Sequence, residues 1–239
     1  MKALLLAAGF GSRLGKVTAL TPKPMVKVGE KPIISFCLDQ LVQAGVTEVV
    51  VNTHYLSGQI EDFLKSYESP LKIHVSYEEQ LLGTAGTTKK HFEYLATDDF
   101  IVMHSDNYFV SSLQDFVAAH NTRNVGKYGT LGTFQTEDPK NCGVLVLNSD
   151  KTILEFYEKV DNPPSRIANA AIYVFTPEIR EVLFHLDFET PDLSRHLIPK
   201  VKADLYTHHF DGLFVDIGTP EGLAIANNHN EEFNRSNTD

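Results

Sequence analysis

At 239 residues, 42% of them hydrophobic and 22% charged, the chain is long enough to bury a full core, and one α/β domain is the simpler reading. Its formal charge of −10 argues against a nucleic-acid surface, which presents basic patches and a high pI, and no apolar run approaches the roughly 18 residues a membrane span needs. The apolar stretch 3–8 runs into glycines and Arg13 too soon for a signal peptide, and Cys37 and Cys142 sit in no ligand-spaced cluster, so a cytoplasmic protein with free thiols is expected.

The first half alternates strand and helix patterns: strand 3–8, helix 32–44, strand 48–52, helix 58–66, strand 72–76, helix 84–95 and strand 100–104. Short Val/Leu/Ile-rich strands separated by helices predict a parallel sheet buried on both faces. From residue 130 the strands come closer together, at 130–135, 143–147, 153–157 and 170–175, with turn residues between them, which predicts an antiparallel addition. Helical runs follow Pro177 and Pro191, a strand pair is expected at 206–210 and 214–217, and a last helix starts at Pro220 with Thr219 as its N-cap. Residues 230–239 read as a frayed tail. The expected fold is α/β, a Rossmann-like, mostly parallel sheet flanked by helices with a small antiparallel subregion. It forms a single domain over 1–239 with halves at 1–125 and 126–225.

In such sheets ligands bind beyond the carboxyl ends of the strands. Two segments with chemistry fall there. The first strand empties into Gly9-Phe-Gly-Ser-Arg13, followed by Pro22-Lys-Pro24. Backbone N–H groups in such a loop approach an anion closely, and two cations follow, which suits a polyphosphate. Neither common phosphate loop fits: Leu14 stands where the dinucleotide fingerprint needs glycine, and Gly15-Lys16 is followed by Val17 where a Walker loop needs Ser or Thr. The second segment is Ser105-Asp106-Asn107, at the end of strand 100–104. An acidic chain that binds polyphosphate needs a metal to offset the charge, and Mg²⁺, which takes oxygen ligands, suits that role.

The string Leu-Leu-Leu-Ala-Ala-Gly-Phe-Gly-Ser-Arg-Leu at 4–14, with Thr21-Pro-Lys-Pro-Met25, resembles the signature of the sugar-1-phosphate nucleotidyltransferases, and the match runs to about residue 223. The resemblance implies in-line attack of a sugar-phosphate oxygen on the α-phosphorus of an NTP, with pyrophosphate leaving. It makes Arg13, Lys23 and Asp106 the catalytic residues. Ala7, Ala8, Gly9, Gly11 and Ser12 cradle the triphosphate with Arg13 and Lys23, and Gln80, Gly83, Thr84 and Gly86 lie against the nucleobase. Asp106 and Asp216 become the Mg²⁺ ligands; Ser105 departs from the glycine the family usually places before the first of them. Asn107, Gly143, Glu158, Lys159 and Asn169 are implied on the sugar-phosphate side.

The form Leu-Gly-Thr-Ala-Gly at 82–86 is closest to mannose-1-phosphate guanylyltransferases and their heptose relatives. GTP and mannose 1-phosphate are therefore the expected substrates, with GDP-heptose formation or uridylyl or thymidylyl transfer as alternatives. A non-catalytic NDP-sugar-binding regulatory protein is the rival of a different class, and the charges at Arg13, Lys23, Asp106, Lys159 and Asp216 speak against it. No nucleic-acid or membrane partner is expected, and a homo-oligomer is left open. The chain stops soon after the core fold, so a second, acyltransferase activity on a β-helical extension is not expected. His54, His104, His120, His185, His196, His208 and His209 form no metal-ligand pattern and read as structural or surface residues. Tyr77, Tyr108 and Tyr173 read as core.

Overall fold

The computed structural model describes residues 1–124 and 126–236. The first half runs β1 (Lys2–Leu6), a 3₁₀ segment (Ser12–Ala19), the two-residue strands β2 (Lys27–Val28) and β3 (Lys31–Pro32), α1 (Ile33–Gln43), β4 (Glu48–Thr53), α2 (Ser57–Ser66), β5 (Lys72–Tyr77), α3 (Thr84–Leu95), β6 (Phe100–His104), β7 (Asn107–Phe109) and α4 (Leu113–Thr122). The second half adds β8 (Gly129–Gln135), β9 (Gly143–Leu147), β10 (Ile153–Glu158), β11 (Ile167–Phe175), the single-turn helices α5 (Arg180–Leu183) and α6 (Ile198–Val201), β12 (Leu205–His209), β13 (Phe214–Asp216) and α7 (Pro220–Ser236).

One mixed sheet carries the fold, in the order β10-β9-β11-β6-β1-β4-β5, with β8 against β11 and β12 against β8. The strands β6-β1-β4-β5 are all parallel, while β11 runs antiparallel to β6, β8 and β9. Alternation along the strands divides the apolar side chains between two cores. Ala3, Leu5, Val49, Val51, Ile101 and Met103 pack with α1, α2 and α4, and Leu4, Val50, Phe100 and Val102 pack with α3, α5 and α6. This is the expected architecture, a mostly parallel sheet flanked by helices with an antiparallel part added.

Four expectations need correction. Strand β5 has only exposed and half-buried residues, because it pairs only with β4 and forms the sheet edge. Strands β12 and β13 do not pair with each other: β12 joins β8 in parallel and β13 pairs antiparallel with β7. The chain between them is drawn away by aromatic burial, with Phe214 stacked on Phe109 and Phe134. Helix α4 escaped the sequence reading although Leu113, Phe116 and Val117 share one buried face and Ser112 caps it by accepting the Asp115 N–H at 3.2 Å. Helix α7 runs on through much of the supposed tail to Ser236; 237–239 lie outside the described residues, as does residue 125, where the two halves were expected to meet. Among the described residues no helix is long and apolar enough to cross a membrane.

Candidate active site

The carboxyl ends of β1, β4, β5 and β6 open into one cleft of about 240 Å³. Strand β1 stops at Leu6 because the next amide, that of Ala7, donates to the Asn52 side chain at 2.8 Å instead of continuing the ladder. Ala7, Ala8 and Gly9 then line the cleft. Gly11 closes the loop with φ of 68°, and a side chain there would meet Thr18 Cγ2 at 2.9 Å and Lys23 Cβ at 3.0 Å. The same turn is tied by the Thr18 hydroxyl donating to the Gly11 carbonyl at 2.9 Å. Leu14, Val26 and Val28 anchor the segment in a small core shared with Ile217 and Ala226, so helix α7 fixes the loop from behind.

That anchoring delivers Lys23, a buried lysine, to two carboxylates. Its Nζ donates to Asp106 Oδ2 and, at 2.9 Å, to Asp216 Oδ1, while Arg13 Nη2 donates to Asp216 Oδ2 at 2.9 Å. The β7–β13 ribbon explains why residues so far apart in sequence meet: Asp216 lies opposite Asn107 in its register, next to Asp106. Burial alone would lower the Lys23 ammonium, but Asp106 and Asp216 outweigh it and hold it above its ordinary value. Burial would likewise raise the Asp216 carboxyl, yet Lys23 and Arg13 together with the Gly218 N–H bring it down to about 2. Gly218 is packed so closely that a Cβ there would run into Lys23 Nζ and meet Arg13 Nη2 at 2.8 Å.

The cleft brings together Ala7, Ala8, Gly9, Lys23, Gly83, Thr84 and Asp106 of the expected set, and Arg13 and Asp216 join through the ion cluster. Others stand outside its lining. Ser12 and Gln80 are exposed. The Gly86 amide is spent on the Pro191 carbonyl at 3.3 Å. Asn107 is buried and donates to the Ala170 carbonyl at 2.9 Å. Gly143 faces Glu158 across the β9–β10 ladder, and burial raises the Glu158 carboxyl. Lys159 follows with φ of 53° and an exposed side chain. Asn169 spends its amide on Tyr173 and Ser194, each at 2.9 Å, and its oxygen accepts the Ala171 N–H at 2.9 Å, which ties the irregular turn of β11.

Several residues of the site escaped the sequence reading. Asn52, Glu78, Thr87, Ser105 and Asp192 line the cleft, and so does His104, which was read as structural or surface. Asn52 carried a usable signal, because it is a polar residue following the apolar run Val49–Val51 on the same side of the sheet as Asp106; Glu78 follows a strand half of polar residues and carried a weaker one. Asp192 had none: it reaches the cleft by accepting from Thr84 Oγ1 at 3.0 Å across 108 residues. Ser105 is buried and its amide donates to the Leu6 carbonyl at 3.1 Å, so its side chain is accommodated in the cleft wall.

Among the described residues no group of three or more His, Cys, Asp and Glu side chains is arranged to hold a metal on its own. Asp106 and Asp216 within reach of one ammonium are nonetheless two hard oxygen donors on one spot, a set that fits a Mg²⁺ completed by phosphate oxygens and water.

Known proteins match this chain over most of its length. Mannose-1-phosphate guanyltransferase beta-A of Xenopus laevis is 33% identical over 233 residues, covering 95% of this chain and 63% of the relative. Mannose-1-phosphate guanyltransferase of Hypocrea jecorina is 35% identical over 233 residues, covering 92% and 62%. The chain thus spans less than two thirds of the length of these curated relatives. The crystal structure of HddC from Yersinia pseudotuberculosis superposes with a TM-score of 0.79 at 23% identity, covering 95% of this chain and 98% of that one, a likeness of fold. The nucleotidyl transferase family model matches residues 2–232, from β1 through the Asp216 strand and into α7. With the loop, the cleft and the match all running the same course, the chain belongs to the nucleotidyl transferase family.

Proposed function

We propose that this chain transfers a guanylyl group from GTP to mannose 1-phosphate, forming GDP-mannose and pyrophosphate with Mg²⁺, and that residues 1–239 act as one cytoplasmic unit. The observation that carries the reading is the convergence of Lys23, Asp106, Asp216 and Arg13 at the cleft mouth. The names of the relatives supply the choice of guanine and mannose.

The attacking oxygen belongs to a phosphate and is already ionised, so no protein nucleophile or general base is needed. A bond forms from that oxygen to the α-phosphorus as the bond to the β-phosphate bridge breaks, and pyrophosphate leaves with the electron pair. What the protein supplies is position and charge. The loop amides around Gly9 approach the triphosphate. Lys23, held cationic by its two carboxylates, is set where negative charge accumulates, and Arg13, half exposed, is free to turn from Asp216 to a phosphate. Asp106 and Asp216 would hold the Mg²⁺, which neutralises phosphate charge when bound. On the far side, Glu158 and Lys159 face the sugar phosphate, with Asn169 shaping that wall through the β11 turn.

Asp106→Asn tests the assignment. Turnover is expected to fall by about 10³-fold or more while GTP binding persists; turnover at the wild-type rate would remove Asp106 from the reaction.

A further inference from the structure

Strand β5 ends the sheet, and its outer side has no strand partner among the described residues. Parallel pairing engages every second residue of a strand. The Lys72 amide donates to the Thr47 carbonyl at 3.0 Å and the Glu78 amide to the Thr53 carbonyl at 2.8 Å, so the even-numbered residues face β4, and Ile73, Val75 and Tyr77 turn their N–H and C=O groups outward. Of these six groups, only the Tyr77 carbonyl meets a donor among the described residues, the exposed Lys90 ammonium at 3.5 Å. The other end of the sheet is held by its own chain: Thr152 bridges Tyr206, and the Thr207 amide donates to the Lys151 carbonyl at 2.9 Å.

Open edges are usually blunted by proline, a bulge, a very short strand or an outward lysine. Strand β5 has none of these. It is six residues long, pairs with β4 without a bulge, and its one lysine, Lys72, is its first residue and is spent on Glu48 at 3.1 Å. Val75 and Tyr77 are 42% and 54% exposed, and by alternation they share a face with Ile73. Grooves of about 200 and 330 Å³ run beside the edge on its two faces, the first lined by Glu61, Leu64 and Lys65 of α2, the second by His91 and Tyr94 of α3.

A strand that fills this edge must offer N–H and C=O groups at every second residue, apolar side chains on the α2 face, and charges opposite to Glu61 and Lys65. Strand β5 itself meets all three conditions when turned about a twofold axis through Val75. Val75 then lies opposite the partner's Val75, and Ile73 opposite the partner's Tyr77, as hydrogen-bonded antiparallel pairs that use all six outward groups of each copy. Pairs of β-branched residues with one another and with an aromatic ring are those that stabilise such a ladder. The same rotation sets the two α2 helices antiparallel on one face, with Lys65 of each copy turned toward Glu61 of the other. We propose that the chain forms a twofold dimer through β5, its two sheets joined into one. Because the joined strands run in opposite directions, the two clefts open at opposite ends.

Sedimentation velocity of the full chain at about 100 μM, far above the micromolar dissociation constants of modest interfaces, tests this. The expected mass is twice 26.7 kDa. Val75→Lys sets two like charges directly opposite each other at the axis, where they repel, while in a lone copy the exposed side chain ends in solvent. That variant is expected to sediment as a single chain with its thermal transition retained. Hydrogen exchange reads the contact itself. In a lone copy, the amides of His74 and Ser76 are protected by β4 and those of Ile73, Val75 and Tyr77 are not; in the dimer all five exchange slowly. A wild type that sediments as one chain, or a dimer that survives in Val75→Lys, overturns the proposal. If Val75→Lys fails to fold, exchange in the wild type decides: uniform protection from Ile73 to Tyr77 supports the β5 dimer, and alternating fast and slow amides overturn it.

Discussion

At the scale of single residues the site is a competition between burial and charge. Lys23 and Asp216 each lie where desolvation opposes ionisation; Asp106 and Asp216 keep Lys23 charged, and Lys23 and Arg13 keep Asp216 charged. The sign for Asp216 follows from its lowered value: the carboxyl stabilises the fold fully above its unfolded pKa near 4 and loses that contribution as pH falls toward 2. Gly218 has little room to change, and what surrounds it is the ion cluster itself. Gly218→Ala would drive a methyl into the contact between Lys23, Asp216 and Arg13; a fall in kcat/KM of about 10²-fold is expected with unfolding little altered, the scale of a misplaced catalytic group, and wild-type kinetics would show the cluster to be looser than described. Single residues were also where the sequence was easiest to misread. Asp106 and Lys23 were singled out by motif, whereas Glu78 carries none, and only the fold shows that Gln80 is exposed while Glu78, two positions earlier, is buried in the cleft wall.

At the scale of elements, the parallel strands were legible because a strand buried on both faces is written as an unbroken apolar run, as in Val49–Val51 and Phe100–Met103. Helix α4 was not, because its three apolar anchors are spread among Gln, Asp, Ala and His. One of the polar ones is structural. His120 is fully buried, its Nδ1 against Thr130 Oγ1 at 2.9 Å and its Nε2 against Asp99 Oδ2 at 2.8 Å, pinning α4 to β8 and to the start of β6. Burial, reinforced by Arg123, outweighs Asp99 and holds its pKa below the ordinary value. The unfolded chain therefore takes up a proton near pH 6.5 that the folded chain refuses, and stability falls as pH drops below that point. His120→Gln is expected to cost about 1–3 kcal/mol at pH 7.5 and to flatten the decline between pH 7 and 5. Urea unfolding at the two pH values checks both, and an undiminished slope in the variant would place the titration elsewhere.

At the scale of the whole molecule, the site sits where a parallel sheet meets an antiparallel one. Strand β6 is the seam, pairing parallel with β1 and antiparallel with β11, and Asp106 leaves its end. No local pattern in the sequence shows that seam, since the pairing of β11 with β6 and of β13 with β7 joins residues about 70 to 110 positions apart. The resemblance to a known family supplied what periodicity could not: that Asp216 belongs beside Asp106. The measurement that bears most directly on the account is transfer of label from [α-³²P]GTP in the presence of mannose 1-phosphate and Mg²⁺. The account expects the label in GDP-mannose, with one pyrophosphate released for each molecule formed. Label that stays in GTP, or appears only in GDP with unlabelled inorganic phosphate released, would contradict it.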